Sequence, residues 1–119
     1  MTIQEAGERY RIPMFVLREY ESWGFGGADS PCGDTDLARL SILLTLHDIG
    51  FSAAEVEVYL RLALQGASTA GRRLLLLEKR RSAVLEQIHA MERQLQRLDY
   101  LRHELRQAGF VDKRGPGGL

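Results

Sequence analysis

A single cysteine, Cys32, occurs in the 119 residues, so no internal disulfide can form and no multi-thiolate metal site can be assembled. No apolar run approaches the roughly 18 residues a membrane span requires. No signal peptide is visible, because the N-terminus is already charged and amphipathic. The expectation is a soluble cytoplasmic protein without membrane association. An excess of charge is also missing: 16 basic side chains balance 16 acidic ones. That balance does not favour nucleic-acid binding, which runs on phosphate neutralisation by Lys and Arg. Nothing resembling a catalytic constellation is present. No nucleophile stands beside a His, and no carboxylates cluster where a pocket could shift them. The run Gly24-Phe25-Gly26-Gly27 follows a helical segment rather than a strand, so it does not qualify as a phosphate-binding loop. His47, His89 and His103 are isolated in sequence. His89 and His103 would lie about 21 Å apart on one helix, too far to share an ion. The chain therefore reads as a non-enzyme that needs no metal or cofactor.

What is present is uneven. Residues 1–60 carry four Arg against ten Asp and Glu, while residues 61–119 carry twelve Lys and Arg against six. The first half is acidic and the second basic. Hydrophobic content of 45% is ordinary for a folded protein. The length allows one small domain plus one long element.

Start and stop signals bracket five helices. Thr2-x-x-Glu5 fits a capping box, in which the Thr hydroxyl accepts from the Glu5 backbone N–H and the Glu side chain reaches back. A first helix then runs to about Arg9. Pro13 suits the first position of a second helix, where its missing N–H would have had no partner. Gly24 ends that helix. Residues 24–35, rich in Gly, Ser and Asp, read as a loop. A third helix carries Leu37, Leu40 and Leu44 with Ile42, Leu46 and Ile49, and is closed by Gly50. Ser52-x-x-Glu55 is a second capping box, opening a helix through Val56, Leu60 and Leu64 that stops at Gly66. A Gly/Ser/Thr linker over 66–71 follows. Thr2 to Glu21 thus reads as a helix, a tight turn and a second helix.

The last helix, about 70–107, carries Leu74, Leu77, Arg81, Val84, Ile88, Met91, Leu95, Leu98, Arg102 and Leu105 at alternating spacings of three and four. Eight of these ten are apolar, the pattern of a coiled-coil seam. A helix on the order of 50 Å long cannot bury such a seam against a small head alone. The expectation is a homodimer held through Leu77, Val84, Ile88, Met91, Leu95, Leu98 and Leu105. The alternative is a helix folded back on its own domain. Arg81 and Arg102 interrupt the seam and would fix register or antiparallel pairing, because mispairing would bury them without partners. The domain expectation is a helix-turn-helix head over 1–66, a coiled-coil helix over 70–107 and a flexible tail over 108–119.

In this order of elements the chain resembles the MerR family of bacterial transcriptional regulators over nearly its full length. The family run Leu-Arg-Tyr-Tyr-Glu followed by Gly-Leu appears as Leu17-Arg18-Glu19-Tyr20-Glu21-Ser22-Trp23-Gly24-Phe25. Its Asp-Leu-x-x-Leu and Leu-Gly-Phe-Ser-x-x-Glu-Ile runs appear as Asp36-Leu37-Ala38-Arg39-Leu40 and Ile49-Gly50-Phe51-Ser52-Ala53-Ala54-Glu55-Val56. The resemblance implies a mainly α fold: a winged-helix-like helix-turn-helix head, a helical pair and a long antiparallel dimerisation helix. It implies that double-stranded DNA is a partner. Arg18 and Tyr20 stand where family members contact the DNA backbone; an Arg fork and a Tyr hydroxyl both suit phosphate. Arg11 and the start of the second helix are lesser candidates. The alternatives are a salt bridge from Arg18 to Glu19 or Glu21, and a core position for Tyr20.

The departures from the family concentrate on the DNA face. The family wing is a basic, Tyr-containing strand pair, whereas the segment between Gly24 and Asp36 holds no Arg, Lys or Tyr. Glu19 replaces an aromatic beside Arg18. Met14 and Phe15 occupy the turn that normally faces base edges; they can touch a thymine methyl but cannot read a donor–acceptor pattern. A second reading follows, in which the Met14/Phe15/Trp23/Phe25 surface meets a protein partner. Burial in the head is the simpler fate for Trp23 and Phe25. The family's sensor cysteines at the two ends of the long helix are absent, so metal or redox sensing by that route is not expected. The C-terminal drug-binding domain of other members has no counterpart in these residues.

Overall fold

The computed structural model describes residues 1–109; Phe110 to Leu119, most of the expected tail, lie outside the described residues. The order is α1 (Ile3–Arg9), α2 (Met14–Ser22), α3 (Asp34–Asp48), α4 (Ala53–Leu64), a 3-10 turn (Ala67–Thr69) and α5 (Ala70–Gln107). Among the described residues there is no strand, only an isolated antiparallel bridge between Thr2 and Pro31.

The loop after α2 folds back onto the start of the chain: the Ile3 and Gln4 N–H groups donate to the Ser30 and Ala28 carbonyls at 2.9 and 3.0 Å, and Cys32 N–H donates to Met1 O at 2.8 Å. Thr2 Oγ1 accepts from Glu5 N–H at 3.2 Å. The first three N–H groups of α1, which no helix can satisfy internally, are thereby paired. The capping box is only half formed, since the Glu5 carboxylate takes the Thr2 hydroxyl proton rather than the backbone N–H.

Three helices end in the same way. After α1, Ile12 N–H reaches back to Gly7 O at 2.9 Å; after α2, Phe25 N–H reaches Tyr20 O at 3.0 Å; after α3, Phe51 N–H reaches Leu46 O at 3.2 Å. This six-to-one bond, with a left-handed residue inside it, is a Schellman closure. Gly24 and Gly50 supply the left-handed residue after α2 and α3, each at φ +88°. After α1 that place is taken by Arg11 at φ +54°, the only described non-glycine with positive φ. Pro13 is the N-cap of α2, one residue earlier than the sequence suggests, and its carbonyl accepts from Val16 N–H at 3.0 Å.

The loop is shorter than expected because α3 begins at Asp34: Gly33 serves as N-cap and the Asp36 carboxylate accepts its N–H at 3.1 Å. The buried stripe of α3 is Leu40, Leu43 and Leu46, while Ile42 and Ile49 stay exposed. Ser52 and Glu55 form the full capping box expected at α4. Ile3, Ala6, Ile12, Val16, Tyr20, Cys32, Leu40, Leu43, Leu46, Phe51, Val56 and Leu60 make one core. Gly7, mid-helix in α1, lets α2 approach: a Cβ there would lie 2.5 Å from Leu17 Cδ1.

The expected 66–71 linker is a tight 3-10 turn running straight into α5. The compact head extends to Arg80 rather than to residue 66. Leu76 and Leu77 pack against its core, and Arg80 Nε donates to the Ile49 carbonyl at 2.7 Å. Leu77, expected in the dimer seam, is thus partly covered by its own head. The second unit begins at Arg81. Its helical residues, 81–107, extend about 40 Å at 1.5 Å per residue. No residue of α5 is fully buried.

Candidate nucleic-acid interface

Helix α2 turns Val16 and Tyr20 into the core and presents Met14, Phe15 and Arg18 to solvent. The exposed residues fall at i, i+1 and i+4, one face of a helix. Met14 is 59% and Phe15 51% exposed. Arg11, in the turn before α2, is exposed as well. Neither Arg11 nor Arg18 forms an ion pair among the described residues. The arginine of the expected backbone-contact pair is therefore available.

Tyr20 is not. It has 0% exposure, and its hydroxyl donates to Asp36 Oδ1 on α3. Its ring stacks on Phe25 with centroids 5.2 Å apart. Burial, and then the Asp36 carboxylate, push the phenol up to about 12. The same hydrogen bond holds the Asp36 carboxyl below the usual carboxylate range. The expectation that Tyr20 touches the DNA backbone is corrected: Tyr20 is a core residue tying α2 to α3.

Glu19 behaves differently from its sequence reading too. Its Oε1 lies 2.6 Å from His47 Nε2 in the last turn of α3, with both side chains 17% exposed. The Phe15 ring meets the His47 ring edge-on, centroids 5.0 Å apart at 83°. Glu19 is thus engaged by α3, and the salt bridge from Arg18 to Glu19 does not form. His47 was read only as an isolated histidine. A partner 28 positions away leaves no mark in sequence spacing.

Trp23 and Phe25 pack partly against the core. The Arg39 and Arg61 guanidinium carbons lie 5.2 and 5.5 Å from the Phe25 centroid. Arg61 also donates to Trp23 O and to Glu57. The four-residue apolar surface suggested by the sequence therefore reduces to Met14 and Phe15. Cys32 is buried, and burial first, then Asp36, push its thiol up, which keeps it protonated and unreactive.

Neither a family model nor a curated protein matches the chain. A crystal structure does: a protein of Listeria monocytogenes assigned to the MerR family of transcriptional regulators superposes with a TM-score of 0.63 at 27% identity, covering 84% of this chain and 81% of that one. The fold is MerR-like. Within that fold, α1 and α2 form the helix-turn-helix, and the loop after α2 is bonded to the start of the chain. No described helix is long and apolar enough to cross a membrane. No group of three His, Cys, Asp or Glu among the described residues could hold a metal ion.

Proposed function

We propose that this MerR-like chain is a dimeric transcriptional regulator that binds double-stranded DNA through the exposed face of α2. One observation carries the reading: Arg18 stands unpaired on that face while the neighbouring Glu19 carboxylate is held by α3. A guanidinium there can take phosphate through a charge-assisted fork. Arg11, at the turn, is a second backbone contact. The likeness to the Listeria regulator supports the role, and the apolar stripe Val84, Ile88, Met91, Leu95, Leu98 and Leu105 on α5, exposed from Ile88 onward, supports a second copy as partner.

The exposure of Met14 and Phe15 favours a second reading, in which the same face meets a protein. A fluorescence titration against duplex DNA selected from a random pool separates the two. Arg18→Ala should weaken binding to every duplex, and Phe15→Ser should change it little. Wild-type protein that binds no duplex even at low salt would remove the DNA reading and leave the protein partner.

A further inference from the structure

We infer that His47 is a positioning residue for DNA binding: it draws the Glu19 carboxylate onto α3 and so keeps a negative charge off the phosphate-facing side of α2. This rests on the DNA reading above and deepens it by naming what keeps the exposed face of α2 open to phosphate. Glu19 directly precedes Tyr20 and follows Arg18, in the middle of the recognition helix. Left free, its carboxylate would compete with phosphate for Arg18 and repel the backbone. The structure instead gives it a 2.6 Å bond to His47 Nε2, away from solvent on both sides. The His47 ring in turn backs the Phe15 ring. One imidazole therefore sets the placement of two α2 side chains that flank Arg18 and the helix start.

Few groups surround the junction. Those facing the ring are Glu19 and Phe15 from α2. On its own helix, Asp48 follows it and is exposed. From α5, Arg80 lies at the same helix end, on the Ile49 carbonyl. Among the described residues no side chain other than His47 bonds the Glu19 carboxylate.

The test is the affinity for a selected duplex, measured at constant ionic strength. Glu19→Gln should bind at least as tightly as wild type. His47→Gln should bind roughly three- to tenfold more weakly, the scale of one partly screened charge pair per head, and the Glu19→Gln/His47→Gln double variant should recover the lost affinity. Thermal melts establish that each variant is folded; a merely structural role for His47 would not be rescued by removing the Glu19 charge. A His47→Gln variant with unchanged affinity, or a double variant that binds no better than His47→Gln, overturns the inference while leaving DNA binding intact. Wild-type protein that binds no duplex overturns both.

Discussion

Arg11 sits in a left-handed backbone position that glycine would fill without strain. For an L-residue with a Cβ, that conformation costs about 1 kcal/mol relative to glycine. The helix-turn-helix turn therefore carries a stability cost that its side chain has to justify. Arg11→Gly should raise the melting temperature by a few degrees, about 1 kcal/mol of stability, while lowering affinity for duplex DNA. A variant that is less stable than wild type would show that the arginine is there for the turn and not for a ligand. Tyr20 gives the opposite case. Tyr20→Phe removes a hydrogen bond to a carboxylate and should cost about 1–3 kcal/mol, yet leave DNA affinity unchanged, because the hydroxyl never reaches the surface. Its phenol, held up near 12, also sets an alkaline limit. A folded value above the ordinary value near 10 contributes stability that is complete below pH ~10 and is lost as pH rises through the folded value. Unfolding followed by circular dichroism should accordingly begin above pH ~10, and Tyr20→Phe should remove that phase.

At the scale of elements, the joints between helices matter most. Arg80 of α5 caps the C-terminal end of α3 through the Ile49 carbonyl, where a cation also meets the negative end of the helix dipole. Arg73 does the same for α4, reaching Gly66 O and Thr69 Oγ1. Gly50 is constrained twice: its φ is +88°, and a Cβ would lie 2.2 Å from Arg80 Nη2. Gly50→Ala should therefore cost about 1–3 kcal/mol, against at most about 1 kcal/mol for Arg80→Ala. The double variant should cost less than the two together, since removing the guanidinium relieves the clash. Chemical denaturation of the three proteins measures this directly.

Much of the element order was legible in the sequence because its signals are local. Gly24 and Gly50 mark helix ends, Ser52 and Glu55 mark a start, and the three–four spacing marks α5. The orientation of α2 was not legible: Tyr20 could face DNA or core equally well by spacing, and only its meeting with Asp36 decides. The pairing of Glu19 with His47, and of the Ala28–Cys32 segment with the chain start, joins residues 24 to 31 positions apart in ways no local pattern records. Leu43 is not legible as a core residue, because a run of apolar neighbours on α3 leaves the buried stripe ambiguous.

For the whole molecule, the decisive feature is the apolar stripe on residues 84–105. Ile88, Met91, Leu95, Leu98 and Leu105 are each roughly half exposed or more in the single chain. Burying a Leu or Met side chain is worth about 1.5–3 kcal/mol, so a second helix with the same stripe is the natural cover. Arg81 and Arg102 occupy equivalent heptad positions; a parallel in-register pair would face each with its own copy, a like-charge contact that an antiparallel pair avoids. Leu95→Glu should convert a dimer to a monomer in sedimentation equilibrium, and DNA affinity should fall with it as the second head is lost.

The central claim is that two such heads grip the DNA backbone through arginines of the helix-turn-helix, despite a neutral chain and no basic wing. The salt dependence of wild-type binding to a selected duplex tests it most directly. With Arg11 and Arg18 on each of two heads, the logarithm of affinity should fall against the logarithm of salt with a slope of about −4. A slope near zero, or no binding at low salt, would contradict the claim.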